Sequence, residues 1–317
     1  LDEMFRPGWL ARISRWRSGV SLLEEADMWR LYIVCRHRQE AQARGAPPPR
    51  EFLSEILDGP PPPYSEQRAL VHAELQMQAL RQLRSEHDAV ALARARDERK
   101  PPFTVVPAEL KGRERRPQGG VRLVGRAQPG DLVCFFPGVV FTQRDVWHLP
   151  GGTDALADAN AFAMHNGAIV SASHCHLLPR EATANRLALG HEINHPRART
   201  QPNVVPFGLE MEVATLRDEL APFLPNASFS AVASAAEAES RQSLDDMFRS
   251  SILSGDFAAD SGDEACSTRS TLVMVALREI CDEELCVNYR LNPRSGAPRP
   301  DWYEPVSALE EELRWST

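Results

Sequence analysis

The sequence lacks any uninterrupted apolar stretch that approaches the ~20 residues of a membrane-spanning helix, so no membrane span is predicted. It also lacks an excess of basic charge, because 36 Lys and Arg stand against 44 Asp and Glu and the formal net charge is −8. Coating nucleic acid needs a concentrated basic face, so direct nucleic-acid binding is not expected. A basic partner, such as a lysine-bearing protein segment, suits this chain better.

Cysteine is scarce and scattered, with six residues in 317, no CxxC pair and no spacing typical of a disulfide framework or a zinc site. We therefore predict reduced thiols, no bound metal and an intracellular compartment, either nucleus or cytoplasm. The string His174-Cys175-His176 has metal-ligand residue types, but on a strand only the two histidines would share a face. We interpret it as a loop or strand without a metal. A serine-centred nucleophile elbow and a phosphate-cradling glycine loop are lacking too.

The chain begins with leucine, so we expect its true N-terminus to lie upstream. Four apolar residues with helical spacing follow among arginines, namely Phe5, Trp9, Ile13 and Trp16. This pattern is typical of a basic amphipathic helix, which could serve a membrane surface or organelle targeting, or pack on the domain with a solvated basic face.

Residues 1–101 form a predicted helical N-terminal region. A helix over residues 21–44 is indicated by a capping box of Ser21 and Glu24 and by Gly45 just past its end. A short helix over residues 52–57 and a long one over residues 65–99 follow, separated by prolines. One side of the long helix carries Ala69, Ala73, Met77 and Leu80.

Two short segments could bind partners. Residues 61–64, Pro-Pro-Pro-Tyr, have the form of a ligand for WW-type domains, although a stiff linker is the alternative. The basic run of Lys111, Arg113, Arg115 and Arg116 could contact phosphate or an acidic partner, although solvated loop charge explains it equally.

From Val121 onward the sequence changes to short β-rich runs between turn residues. The predicted strands are residues 132–136, 139–141, 168–170, 204–207, 272–276 and 285–287. Residues 231–267 are rich in Ala, Ser and acids, and we interpret them as a mostly disordered insertion with a short helix near residues 244–253. The fold class predicted is therefore mixed α+β, with a strand-dominated domain after an N-terminal helical region.

Three separated parts of the β-rich region resemble motifs of one family. The first is Gly119-Gly120-Val121 with residues 130–138, Gly-Asp-Leu-Val-Cys-Phe-Phe-Pro-Gly. The second is residues 190–195, Gly-His-Glu-Ile-Asn-His, which run on to Pro202-Asn203-Val204. The third is residues 275–289, which end in Glu-Glu-Leu-Cys-Val-Asn-Tyr. In this order they resemble the SET-domain protein methyltransferases, and with the loop of residues 194–203 and residues 219–226 they look most like the SET domain-containing protein nine group.

The resemblance implies a SET-type β-fold with a C-terminal pseudoknot over residues 102–291, followed by a tail over residues 292–317. It implies S-adenosylmethionine as cofactor and a lysine side chain of a protein as methyl acceptor. Such a reaction needs donor and acceptor to be aligned in a dry channel, where desolvation lowers the pKa of the lysine amine. The tail, which includes Trp302 and Tyr303, could supply an aromatic wall of that channel, or simply pack on the surface.

The resemblance also assigns the site residues. Tyr289 would be the catalytic residue, its hydroxyl lying beside the amine and the cofactor; Asn194 would hold the cofactor through its amide, His195 through its main chain and ring, and Gly120 by allowing close approach. Without the resemblance, Tyr289 could be a half-buried strand tyrosine, and Asn194-His195-Pro196 an ordinary turn.

Four positions depart from the family pattern. Gln118 stands where glycine is usual, Phe136 where tyrosine is usual, Glu192 where a bulky aromatic is common, and Asp282 where glycine is usual. The cysteine-rich zinc segment that often follows the domain is also lacking. These departures motivate an alternative, in which the fold is retained as a binding module with little or no activity.

Overall fold

The computed structural model describes residues 22–92, 102–108, 119–148, 160–178, 180–198, 200–233, 268–291 and 299–315. The α-helices are α1 (Leu22–Arg44), α2 (Arg50–Asp58), α3 (Tyr64–Leu92), α4 (Gln143–His148), α5 (Arg180–Thr183), α6 (Val213–Leu220) and α7 (Ala308–Trp315). The strands are β1 (Phe103–Pro107), β2 (Val121–Ala127), β3 (Leu132–Phe136), β4 (Gly138–Phe141), β5 (Ala161–Ala163), β6 (Ile169–Ser171), β7 (Val204–Glu212), β8 (Asn226–Ser228), β9 (Thr268–Ala276) and β10 (Ile280–Cys281). Short 3-10 helices lie at Ala172–Leu177, Gly190–Glu192 and Ala221–Phe223.

In the part of the chain that the structure describes, the strands form three small sheets, ordered β1-β2-β10, β3-β9-β7 and β5-β6-β4-β8. Neighbouring strands are antiparallel apart from the parallel pair of β4 and β8. The longest pairing joins β7 to β9, with Val204 opposite Ala276 and Glu212 opposite Thr268. The predicted mixed fold, with helices and several small antiparallel sheets, is therefore confirmed.

Five of the six predicted strands are present. Strands occur at or beside the predicted runs 132–136, 139–141, 168–170, 204–207 and 272–276. Leu132–Phe136 was predicted residue for residue, because a continuous apolar run between turn residues suits a fully buried strand. The sixth run, 285–287, forms only isolated bridges to Asn194 and Val204 rather than a ladder. Its backbone lies against loop residues and the start of one strand, so no regular pairing can extend.

The helices and the central sheet share one hydrophobic core. Leu31 of α1 and Leu75 of α3 are buried together with Phe135, Leu209 and Val273 of the β3-β9-β7 sheet. The change from helices to strands lies between Leu92, where α3 ends, and Phe103, where β1 begins. The helical and β-rich regions nevertheless share this core. Burial of apolar side chains between them stabilises the fold.

Ala69, Ala73 and Met77 are exposed and Leu80 is half-buried against the core, so the predicted side is not the main one that α3 buries. Its buried side carries Gln67, Val71, Glu74, Leu75, Gln78, Ala79, Leu83 and Glu86. The branched residues of this side bury more apolar area than alanines do. None of the described helices is both long and apolar enough to cross a membrane.

Two glutamines of α3 bond to the main chain at the open edge of β3. Gln78 Oε1 accepts a hydrogen bond from Leu132 N at 2.8 Å, and Gln78 Nε2 donates to Gly130 O at 2.9 Å. Gln82 Nε2 donates to Leu132 O at 2.5 Å. An unpaired strand edge can pair wrongly with another strand. Here α3 covers the edge of β3, and its glutamines provide hydrogen-bond partners for the main-chain groups there.

Several predictions concern residues outside the described ranges. They are the basic amphipathic pattern of residues 5–16, the capping role of Ser21, the basic run 111–116, Gln118, and residues 234–267 of the insertion with its short helix. Val232, at the start of the predicted insertion, is described and buried in a small core with Val139 and Phe141.

Cys35, Cys134, Cys175 and Cys281 have free thiols. Burial raises the pKa of the Cys35 and Cys134 thiols well above the ordinary range. These two residues therefore act as small apolar core residues.

Candidate functional site

The four predicted site residues come together although up to 169 positions separate them in sequence. Gly120 packs against the side chain of Asn194, and Tyr289 contacts the segment 193–195 twice. The Tyr289 hydroxyl donates to Ile193 O at 2.8 Å, and its backbone N–H donates to His195 Nδ1 at 3.2 Å. One small region therefore holds residues from all three sequence motifs.

The segment of residues 284–289 is positioned by hydrogen bonds to two other segments at once. Val287 N donates to Asn194 O at 2.9 Å, and Val204 N donates to Cys286 O at 3.2 Å. Asn203 adds its side chain, because its Oδ1 accepts from Cys286 N at 2.7 Å. Buried main-chain groups outside regular strands must find such partners, so these loops hold one another in place.

Gly120 lies in a crowded position that needs glycine. Its φ of +78° is a left-handed conformation, and a Cβ there would lie 2.4 Å from Asn194 Nδ2 and 2.9 Å from Glu284 Oε1. The Asn194 amide in turn donates to Glu284 Oε1 at 2.8 Å. The close approach predicted for Gly120 is thus directed at Asn194 and Glu284.

Glu284 is a site residue that the sequence interpretation missed. It belongs to the third motif, but nothing in the local sequence indicates that its carboxylate reaches an amide 90 positions earlier. Its main-chain oxygen also accepts from Asn203 Nδ2 at 2.8 Å. The available signal was that two carboxylates, Glu283 and Glu284, are adjacent in the sequence. In the structure Glu283 pairs with Arg278, and Glu284 binds Asn194.

His195 joins the Tyr289 segment to the C-terminal tail. Its Nδ1 accepts from Tyr289 N, and its Nε2 lies 2.7 Å from Glu304 O. A carbonyl oxygen can only accept, so these contacts require the neutral ring with its proton on Nε2. The ring is buried and packs on Tyr303, with ring centroids 4.6 Å apart.

The tail places two aromatic rings beside the site. Trp302 is 48% exposed and contacts the Tyr289 ring edge-on at 6.1 Å between centroids. Tyr303 is buried, and its hydroxyl donates to the Glu311 carboxylate of α7. Burial and Glu311 raise the pKa of the Tyr303 hydroxyl far above its ordinary value, so it stays protonated.

Asp282 adopts a backbone conformation that glycine favours, with φ of +48°. Its Oδ1 accepts from Gly125 N at 2.9 Å, and its carbonyl oxygen accepts from Arg122. Aspartate tolerates the left-handed region better than most residues because its short side chain bonds locally. The departure at this position therefore keeps the backbone geometry for which glycine is suited.

We expect Asp282→Gly to change the free energy of unfolding by less than about 1 kcal/mol, because relief of backbone strain offsets the lost bond to Gly125. Asp282→Val should destabilise the protein by about 2 kcal/mol, since a β-branched residue is strained at this φ. Thermal and denaturant melts of the two variants measure the difference. Equal stability of both would contradict a left-handed backbone at this position.

The other departures have ordinary surroundings. Phe136 is buried, with edge-on contacts to Phe162 and His191. Glu192 is half-buried and lies 3.8 Å from His191. Burial lowers the pKa of the His191 imidazole, which opposes the smaller effect of the neighbouring Glu192 carboxylate.

His174, Cys175 and His176 lie on a 3-10 helix, Ala172–Leu177. Of the two predicted alternatives, a loop or a strand, the strand is therefore wrong. The two histidine rings lie 6.5 Å apart, and Ser171 Oγ is 2.9 Å from His174 Nδ1. Within the described ranges, no group of three or more His, Cys, Asp or Glu side chains could hold a metal ion.

Tyr64, the last residue of the Pro-Pro-Pro-Tyr string, is the first residue of α3 and is half-buried. Its hydroxyl donates to Glu24 Oε1 at 2.9 Å. Pro62 O accepts from Gln67 Nε2 at 2.7 Å, which ties the string to the helix. Binding of a WW-type domain, which stays a prediction, would have to displace the Glu24 contact.

A scan against protein-family models gives no match, and a search of curated proteins gives no match either.

Proposed function

We propose that the protein is an S-adenosylmethionine-dependent methyltransferase of the SET type that acts on a lysine side chain of a protein substrate. The observation that carries the proposal is that Gly120 packs against Asn194 while Tyr289 bonds to Ile193 and His195 on either side of it, which brings three separate motifs together. The double attachment of residues 284–289, to Asn194 and to residues 203–204, supports the pseudoknot that the resemblance implies. A chance set of motifs would have no reason to converge in this way.

The residues at the site suit the proposed cofactor, which would supply a methyl group on a positively charged sulfur. Gly120 keeps the main chain of its loop open to close approach, and Asn194 offers an amide. Glu284 adds a carboxylate suited to a cationic ligand, and Trp302 offers an exposed aromatic ring next to Tyr289. An amide, an acid and an exposed ring match the mixed polar, charged and aromatic character of such a molecule.

Tyr289 is suited to orient the incoming amine. Its hydroxyl donates a hydrogen bond to Ile193 O. A phenolic oxygen can also accept a hydrogen bond, here from an amine N–H. The ring is held by main-chain contacts and by Trp302, so the oxygen has a defined position. Alignment of this kind is the main contribution to an in-line displacement in which no new anion forms.

The tail is suited to shield the amine from water and to attract a basic segment. Trp302 lies against Tyr289 and provides apolar surface, on which desolvation favours the neutral, nucleophilic amine. Asp301 and Glu304, on either side of the two aromatic residues, are exposed acids. Their charge favours a lysine-bearing partner over an acidic one.

A binding module without strong activity is the second candidate, and one feature favours it. The Asn194 amide already donates to Glu284, and the Tyr289 hydroxyl already donates to Ile193 O. Both polar groups are therefore satisfied within the protein, which suits a stable scaffold as well as a prepared site.

Direct binding of S-adenosylmethionine, measured by calorimetry, tests the proposal first. Transfer of a labelled methyl group to an array of lysine-containing peptides then separates an enzyme from a binding module that merely holds the cofactor. Binding with transfer supports the proposal, binding without transfer favours the second candidate, and the lack of binding contradicts the proposed function.

We expect Asn194→Ala to weaken S-adenosylmethionine binding by roughly 1–3 kcal/mol, the range for losing a buried hydrogen-bonding group. Asn185→Ala is the matched control, because Asn185 is also buried and donates to Phe223 O at 2.9 Å, outside the site. Both variants should lose stability, but only Asn194→Ala should lose affinity in calorimetry. Unchanged affinity in Asn194→Ala would mean that its amide does not hold the cofactor.

A further inference from the structure

A cluster of four charged side chains connects α1 to the end of the Tyr289 segment and to α7. The charge cluster consists of Asp27, Arg30, Arg290 and Glu310. Both terminal nitrogens of Arg290 donate to the Asp27 carboxylate, at 2.5 and 2.6 Å. Arg30 donates to Asp27 at 3.3 Å and to Glu310 at 2.6 Å. The four side chains are only 7–17% exposed, so the two positive and two negative charges balance in a largely dry setting.

The Asp27–Arg290 pair is bidentate, so it fixes the orientation of the guanidinium as well as its distance from the carboxylate. Two parallel N–H···O bonds hold the plane of the guanidinium as well as its position, which a single contact would not do. Burial would lower the pKa of the Arg290 guanidinium, but Asp27 and then Glu310 raise it above its ordinary value. Arg290 is therefore a charged, oriented anchor next to the candidate catalytic residue.

Arg290 directly follows Tyr289 and has a left-handed backbone, with φ of +52°. An L-residue other than glycine is strained there, so the conformation persists only where surrounding contacts hold it. Two contacts do so: Asn288 Oδ1 accepts from Arg290 N at 3.1 Å, and Asp27 binds the side chain. If the Asp27 contact is lost, relaxation of this φ would turn the chain at Tyr289.

We propose that Asp27 is a positioning residue that, by holding Arg290, sets the orientation of the Tyr289 hydroxyl and makes helix α1 a working part of the site. The proposal rests on the proposed function for its catalytic consequence, but its structural claim concerns Tyr289 alone. Asp27 reaches the Tyr289 segment through Arg290, the neighbour of Tyr289 in the chain. Displacement of a reacting group by about 1 Å can lower a rate a hundredfold, so a remote anchor of this kind has a measurable effect.

The first experiment observes Tyr289 without any substrate. The chain has four tyrosines, so labelling with 3-fluorotyrosine gives a simple ¹⁹F NMR spectrum that single Tyr→Phe variants assign. We expect Asp27→Asn, which removes the charge and keeps the shape, to move the Tyr289 resonance and leave that of Tyr64 in place. An Asp27→Asn spectrum with an unchanged Tyr289 resonance would overturn the proposal.

Glu86→Gln is the matched control, because Glu86 of α3 also binds an arginine of the β-rich region, Arg186, at 3.0 Å. It should lower stability without moving the Tyr289 resonance. If Asp27→Asn does not fold, Arg290→Lys keeps the charge but loses the bidentate geometry and should also move the resonance. Asp27→Glu keeps a carboxylate and should restore part of the parent position. A Tyr289 resonance that moves equally in Glu86→Gln would show a general loss of packing and contradict the proposal.

The second experiment is a double-mutant cycle with labelled methyl transfer to the lysine-peptide array. Asp27→Asn should lower turnover about tenfold or more, while S-adenosylmethionine affinity stays within about twofold of the parent. In the Tyr289→Phe background the same change should have little further effect, because the hydroxyl it positions is gone. Independent, additive losses would overturn the proposal. If the parent binds no S-adenosylmethionine, the proposed function fails, and the fluorine spectra alone decide the role of Asp27.

Discussion

Replacement of Tyr289 by phenylalanine is expected to lower turnover about a hundredfold or more, while S-adenosylmethionine affinity changes far less. The substitution removes one oxygen and keeps the ring contacts with His195 and Trp302. The hydroxyl bond to Ile193 O, 2.8 Å long, should account for only about 1 kcal/mol of stability. Labelled methyl transfer and a thermal melt on the same preparation measure both effects.

Tyr64→Phe is the matched control for this loss. The Tyr64 hydroxyl also donates one hydrogen bond from a half-buried ring, to Glu24 Oε1 at 2.9 Å, but it lies in the helical region. The two variants should lose similar stability and differ sharply in turnover. Full turnover in Tyr289→Phe, with a modest loss of stability, would show that Tyr289 is a structural tyrosine.

Elements that depend on local pattern could be predicted from the sequence. The strand Leu132–Phe136 follows from a continuous apolar run, and the end of α1 follows from Gly45, whose φ is +66°. The closeness of Gly120 to Asn194, and of Tyr289 to His195, was also predictable, but only through the order of three motifs. Local spacing by itself left Tyr289 and Asn194 open to a purely structural interpretation.

Features that depend on contacts between distant segments could not be predicted. The face of α3 that is buried is decided by its partner sheet, where Gln78 bonds to the main chain of β3. A buried glutamine on an amphipathic helix looks like a surface residue until that edge is known. The same holds for Glu284 and for Asp27, whose partners lie 90 and 263 positions away.

The tail shows an intermediate case. Its aromatic residues suggested a wall for the proposed channel, and the structure brings Trp302 to the edge of Tyr289. No local pattern indicates that Glu304 supplies a main-chain acceptor to His195, or that Glu311 binds Tyr303. Composition indicates what a segment can contact, whereas the anchoring points follow from three-dimensional packing.

Gly120→Ala is expected to weaken S-adenosylmethionine binding about a hundredfold, because it disturbs the buried Asn194 amide and the half-buried Glu284 carboxylate, and losing a hydrogen-bonding group of this kind costs about 1–3 kcal/mol. The new methyl group would lie 2.4 Å from Asn194 Nδ2 and 2.9 Å from Glu284 Oε1. Both atoms are ends of side chains, so they should turn away rather than unfold the protein. The bond between them, now 2.8 Å, would then be lost together with the position of the Asn194 amide.

Gly167→Ala separates this effect from backbone strain. Gly167 has nearly the same φ, +80° against +78°, but a Cβ there meets nothing within 4 Å. Both variants should therefore lose about 1–2 kcal/mol of stability from the left-handed conformation, and Gly120→Ala about 1 kcal/mol more for the broken hydrogen bond. Calorimetry on the two variants then separates the effect on the site from the effect of backbone strain, since only Gly120→Ala should lose affinity for S-adenosylmethionine. Equal affinity in the two variants would contradict a cofactor site at Gly120 and Asn194, whereas a loss confined to Gly120→Ala would be hard to explain if these residues served packing alone.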